Sequence, residues 1–285
     1  MLNSLLLAST LILKAISTPI VGGTEVGSNH VYPWMGMQQS NASWVSNDGS
    51  FHQSCGGSMI RENVLVTAAH CHVIITNLNQ LKVFSHVYDS DKVVEEQAIE
   101  FKVVKIIKHE KFDGVGSNPP NAFDISLYIL EQVSNPSNRK VETIEVASFD
   151  PNTINDQGPI KTIGWGAMTD ISVNANQSKT LRETELQLVT LDYCTEIYKQ
   201  YYTFDKVGPE FLCANDGNVG LRSICYGDSG GPSFTIENNK PILQGISSWV
   251  EGYCEAASIK SVPVLYVRAS YFKNWIEEKL ALEGL

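Results

Sequence analysis

Gly227-Asp228-Ser229-Gly230-Gly231-Pro232 sets one serine among three glycines and a proline. Glycine reaches backbone angles that other residues avoid, so such a run can hold several amide N–H groups convergent on one point beside an exposed hydroxyl. Acyl transfer needs that arrangement: a nucleophile, with donors aimed at the oxyanion formed when it attacks a carbonyl. Read alone, the six residues could also be a glycine-rich β-turn, so their meaning depends on what lies upstream.

A serine hydroxyl is a weak nucleophile at its own pKa and needs a base, itself oriented by a third group. Thr67-Ala68-Ala69-His70-Cys71 supplies an imidazole at the end of an apolar run, and Phe123-Asp124-Ile125-Ser126-Leu127 supplies a carboxylate between apolar neighbours. Either residue alone reads as structural. In the order His70, Asp124, Ser229 they match a serine-protease triad, whereas the α/β-hydrolase order runs Ser, Asp, His.

Around these motifs the 285-residue chain is 43% hydrophobic and 18% charged, enough to bury a sizeable core in one large all-β domain or two small lobes. Short β-branched and aromatic runs alternate with Gly, Pro, Asn and Asp clusters. Strands are expected at 35–39, 64–68, 101–108, 124–130, 160–164, 185–191, 242–247 and 264–268. Tyr271, Phe272, Trp275, Ile276, Lys279 and Leu280 recur at helical spacing, so the chain should end in an amphipathic helix. The Asn-, Pro- and Ser-rich stretch 133–157 is the expected connection between lobes, with a boundary near 145. A net charge of −10 argues against nucleic acid or an anionic membrane as main partner. The six cysteines contain no CxxC pair and fit disulfides better than zinc, with fifteen connectivities open from counting. Residues 1–17 read as a signal peptide: the apolar run from Leu5 to Leu13 is too short to span a bilayer, and small residues follow at Ala15 and Ser17. Asn41-Ala42-Ser43 and Asn176-Gln177-Ser178 are glycosylation sequons.

With these motifs in view, the chain resembles the chymotrypsin-like serine endopeptidases from Ile20 to its end. The resemblance is carried by Ile20-Val21-Gly22-Gly23, Cys55-Gly56-Gly57-Ser58, Gly164-Trp165-Gly166, Ser247-Ser248-Trp249 and Trp275-Ile276, besides the triad motifs. It implies two packed six-stranded antiparallel β-barrels, about 20–145 and 146–285, with a C-terminal α-helix and the active site in the cleft between them. It pairs Cys55 with Cys71, Cys194 with Cys213 and Cys225 with Cys254. It assigns catalysis to His70, Asp124 and Ser229, the oxyanion hole to the amides of Gly227 and Ser229, and a hydrogen bond to Asp124 from Ser248. It also implies that the chain is activated when it begins at Ile20, whose new α-amino group pairs with Asp228. Here Ile20 follows Pro19 rather than a basic residue, so the propeptide is Thr18-Pro19, suited to a dipeptidyl peptidase that accepts proline in second position.

The substrate-binding residues implied by the family are Ser223, Ile224, Tyr226, Ser248, Trp249, Val250 and Val264. Ser223 stands where trypsin-like members carry Asp, which excludes a preference for Lys or Arg. Ile224, Val250 and Val264 then give a shallow apolar pocket for Ala, Val or Leu, as in elastase-like members. If the long segment between Cys254 and Pro263 shifts the register, Val264 leaves the pocket and a chymotrypsin-like preference for Phe, Tyr or Leu returns. Asp89, Asp91, Glu95 and Glu96 lie where some relatives hold calcium but lack a diagnostic spacing, so no metal and no cofactor are expected. The expected molecule is a secreted monomer acting on proteins or peptides and open to protein inhibitors. The competing reading is a catalytically silent binding protein on the same scaffold.

Overall fold

Alternation of inward and outward side chains builds the first sheet. In β6 (Ile99–Lys108) Ile99, Phe101 and Val103 are buried, while Glu100 and Lys102 between them face out and pair across the sheet with Lys82 and Glu131 at 2.9 Å each. The computed structural model describes residues 19–43, 45–46, 48–73, 75–114, 123–148, 156–168, 177–202, 206–217, 222–250, 254 and 262–285. The expected leader, Thr18 and the Asn176 sequon lie outside them.

Five further strands join β6: β2 (Met35–Ser40), β3 (His52–Arg61), β4 (Val64–Thr67), β5 (Leu81–Ser85) and β7 (Ser126–Ser134). They close into an antiparallel barrel in the order β2-β3-β4-β7-β6-β5. Met59, Leu65, Val83, Phe101 and Tyr128 fill it. The second barrel uses β9 (Gly158–Gly164), β10 (Arg182–Val189), β11 (Phe211–Asn215), β12 (Pro232–Glu237), β13 (Lys240–Trp249) and β14 (Val264–Arg268). Their order is β9-β10-β11-β14-β13-β12, returning to β9. Two short strands that precede β9 in the chain attach to it: β1 (Thr24–Glu25) pairs with β10, and β8 (Glu145–Val146) with β13. The chain thus starts on the second barrel before it builds the first.

A third apolar cluster belongs to both barrels. Trp34, Val66, Ala68 and Leu127 from the first half pack with Ile163, Trp165, Phe234 and Ile246 from the second. The Trp34 and Phe234 rings meet edge to face at 5.0 Å. The C-terminal helix, Lys273–Leu282, lies against the first barrel, where Trp275 Nε1 donates to Glu110 at 3.0 Å. All three expected disulfides form, 55–71, 194–213 and 225–254, and among the described residues no cysteine is free.

One expected element differs. The strand read over 185–191 stops at Val189, and Leu191–Tyr198 is a helix. Of this helix only Leu191 falls within the expected strand, and the Thr190 side chain accepts the Tyr193 N–H and so caps a helix there. β5, β11 and β12 fall outside the expected strands, and the antiparallel pairings that close the barrels hold them.

Arg268 ends β14 in a buried bidentate pair with Asp156, at 2.8 and 2.6 Å, and donates further to the carbonyls of Pro209 and Phe211. Removing one partner of such a pair strands the other charge in the interior, which typically costs about 3–5 kcal/mol. Asp156→Ala should lower the free energy of urea unfolding by an amount in that range.

Candidate active site

β4 delivers its end to the interface between the barrels, where Ala69–His72 form a single 3-10 turn tied to β3 by the Cys55–Cys71 bond. This fixes His70 with its ring only partly covered. Asp124 is buried just before β7. A tight turn, with the Ile125 N–H donating to the Phe123 carbonyl at 2.8 Å, presents it. Asp124 Oδ2 lies 2.7 Å from His70 Nδ1, and Oδ1 accepts the His70 backbone N–H at 2.8 Å. The hydroxyl of Ser248 donates to Oδ2 at 2.7 Å. Ser248 can do so because β13 bulges: Ser247 opposes Tyr266 and Trp249 opposes Leu265, which leaves Ser248 outside the ladder.

Burial alone would raise the Asp124 pKa and lower that of His70. For both residues the mutual charge attraction and hydrogen bonds outweigh burial, so Asp124 is held below the ordinary carboxylate range and His70 above the ordinary imidazole value. The carboxylate thus fixes the imidazole tautomer, leaving Nε2 as the atom that can exchange a proton.

The glycine-rich loop packs against this pair. The Gly56 N–H donates to the Ser229 carbonyl and the Gly230 N–H to the Ser247 carbonyl, each at 2.8 Å. Gly230, at φ +76°, has no room for a side chain: a Cβ would lie 2.6 Å from the Gly56 carbonyl oxygen and 3.1 Å from the Ala68 nitrogen. Ser229 is therefore set beside Ala68, which follows β4 and lies two residues before His70. Among the described residues no hydrogen bond joins Ser229 Oγ to His70, as is common before substrate tightens a site. Nor does the N–H of Gly227 or of Ser229 have an acceptor among them, leaving both amides available to a ligand oxygen.

Asp228 points the other way, into the second barrel. Its carboxyl accepts the N–H groups of Cys225 and Gly166 at 2.8 Å each, and burial pushes its pKa up to about 7. Gly164 and Gly166 lie against the carboxyl so closely that a Cβ on either would collide with it. The Gly-Trp-Gly motif, whose Gly164 ends β9, therefore also cradles Asp228, a role no sequence pattern signalled. Ile20 is fully buried, and Val21 bridges to Ser223, whose N–H donates to the Val21 carbonyl at 3.1 Å.

Ser223, Ile224 and Val264 are buried. Ile224 and Val264 share one apolar cluster with Val250 packed against it. The Ser223 hydroxyl is spent on the Ile224 carbonyl at 2.9 Å, so no charge or free polar group lies at this position. Val264 opposes Ala214 in β14. Trp249 is half-buried and Tyr226 is half-exposed beside Gly227.

The acidic loop is occupied by its own neighbours. Asp89 pairs with Lys92 at 2.8 Å, Asp91 pairs with Lys179, and Glu96 accepts the N–H groups of Tyr88 and Asp89 at 2.6 and 2.9 Å. The one cluster with metal-ligand spacing among the described residues, Cys55, His70 and Cys71, has both sulfurs in a disulfide.

Residues 20–276 match the family model described as Trypsin. The chain belongs to the trypsin family. It is 29% identical to chymotrypsin-like elastase family member 1 of Macaca fascicularis, over 97% of this chain and 98% of that protein. It is 30% identical to the Felis catus protein of the same name, over 99% of each. Coagulation factor XI of Bos taurus is 27% identical, over 93% of this chain and 38% of that protein. The chain is a serine endopeptidase of this family, and proteins are its substrates.

Asp124, through its charge and its hydrogen bond, is what opposes burial at His70. An NMR titration should place His70 above 6.5, and Asp124→Asn, which keeps the shape but removes the charge, should bring it below that value.

Proposed function

We propose that this trypsin-family protein is a secreted endopeptidase that cleaves proteins after small or medium apolar residues through an acyl-enzyme. The observation that carries the reading is the buried Asp124 carboxylate, which orients the His70 ring beside the loop that bears Ser229. Ser229 Oγ attacks the peptide carbonyl carbon while His70 Nε2 takes the hydroxyl proton. The N–H groups of Gly227 and Ser229 receive the oxyanion. His70 then gives the proton to the leaving amine. Water repeats the sequence on the ester, freeing the acid and restoring Ser229. Neither half-reaction needs a metal or a cofactor. Three disulfides in a chain of this size fit an oxidising compartment, which supports secretion. Protein inhibitors able to fill the same cleft are natural further partners.

For residue preference, Ile224 and Val264, with Val250 packed against them, support a short apolar pocket. Each methylene in such a pocket is worth about 1–3 kcal/mol, so the preference is graded. A peptide library should show cutting after Ala and Val, lost by about 10⁶-fold in turnover with Ser229→Ala. Val264→Gly should extend cutting to Phe and Tyr. Wild-type cleavage after Phe would overturn the pocket, and no Ser229-dependent cleavage would overturn the enzyme.

Activation supplies the cation that Asp228 needs. In the full chain the Ile20 nitrogen is an amide; removal of Thr18-Pro19 would turn it into an α-ammonium group able to pair with the buried carboxylate. A carboxyl whose folded pKa lies above its unfolded value stabilises the fold at low pH, and that contribution disappears as pH rises through the folded pKa. The chain that retains Pro19 should therefore melt at a lower temperature at pH 8 than at pH 5. Asp228→Asn should flatten this difference, and so should a chain that begins at Ile20.

A further inference from the structure

We propose that Gln53 is a positioning residue for the oxyanion hole, holding the Gly227–Asp228 peptide from across the barrel interface. Gln53 lies buried in β3, and its Nε2 donates to the Gly227 carbonyl at 2.8 Å. Three residues along the same strand, the Gly56 N–H donates to the Ser229 carbonyl at 2.8 Å. One strand of the first barrel thus grips the carbonyls of the two residues whose own N–H groups are without acceptors among the described residues. The inference rests on the endopeptidase reading above and assigns to that site a residue from outside the loop.

The tether matters because of what Gly227 is. At φ +98° it occupies a region open to glycine alone, where the chain is least restricted by its own sterics. A donor for a developing oxyanion is effective only if it is already aimed and need not reorganise. The Gly227 carbonyl plane is fixed on one side by the Asp228 N–H, which donates to the Cys225 carbonyl at 3.0 Å, and on the other by Gln53. The amide orientation of Gln53 is settled by chemistry, since the reverse flip would set its oxygen against the carbonyl oxygen.

A second observation separates this contact from ordinary packing. Gln53 Oε1 is buried with no partner among the described residues. A buried amide that leaves its acceptor unsatisfied stabilises the fold poorly. Its hydrogen-bond partner among the described residues is the oxyanion-hole residue itself.

Gln53→Met keeps the length of the side chain and removes the donor. Turnover of a peptide substrate should fall by about 10-fold to 100-fold, less than the ~10²–10³ seen when a hole donor is deleted, because Gly227 keeps its N–H but loses its aim. KM should stay within about threefold, since the hole acts on the transition state. The Ki of a peptide aldehyde, whose hemiacetal oxygen enters the hole, should rise by the same factor as turnover falls. Gln53→Glu, of the same shape, should reproduce the loss at pH 8, so the test survives if the methionine variant folds badly. Unchanged kcat in a folded variant, or an effect on KM alone, would overturn the role of Gln53. A wild-type protein without Ser229-dependent turnover would instead overturn the endopeptidase reading beneath it.

Discussion

The Asp124 carboxylate is the constraint on which the site depends. An ionised group in an apolar interior is costly unless donors surround it. Here two come from His70, in the first barrel, and one from Ser248, in the second. Satisfying one charge therefore requires both barrels in register. The same three bonds that neutralise the cost of burial orient the imidazole, so the fold and the chemistry draw on one interaction. Ser248 reaches it only through the bulge in β13, and the tight turn at Phe123–Ile125 presents the carboxylate.

Around that charge the barrels exchange backbone groups as well as apolar surface. Gly56 of β3 touches the loop so closely that a Cβ there would lie 2.9 Å from Gly231 Cα. The glycines at 56, 164, 166, 227 and 230 are thus consequences of two sheets meeting around a loop with no room between them. Asp228 lies on the far side of that loop, so the charge proposed for the N-terminus would act on the same peptide planes that Gln53 and Gly56 hold from the front.

Much of this was legible before any coordinates. Gly227 to Pro232, the His70 and Asp124 motifs and their order along the chain suffice for the family, because acyl transfer restricts residue types tightly. The terminal helix was readable from periodicity, since it buries one face, and the strand 264–268, buried throughout, from its run of β-branched and aromatic residues. The helix 191–198 was not, because its apolar residues suit either period and a single threonine cap decides between them. The resemblance paired the cysteines as the structure does, though counting alone left fifteen arrangements open.

The sequence by itself determined the proposed chemistry: which side chains are offered as nucleophile, base and orienting acid, and that Ser223 puts no acidic residue at the proposed pocket. Tertiary structure decided what surrounds them: that Gly164 and Gly166 cradle Asp228, that Lys179 reaches Asp91 in the acidic loop, and that Gln53 reaches Gly227. The physical reason is range. Reactive groups are recognisable by type and local spacing, whereas these contacts join positions some 60 to 170 residues apart or depend on a Cβ-sized gap, and neither leaves a local trace in the chain.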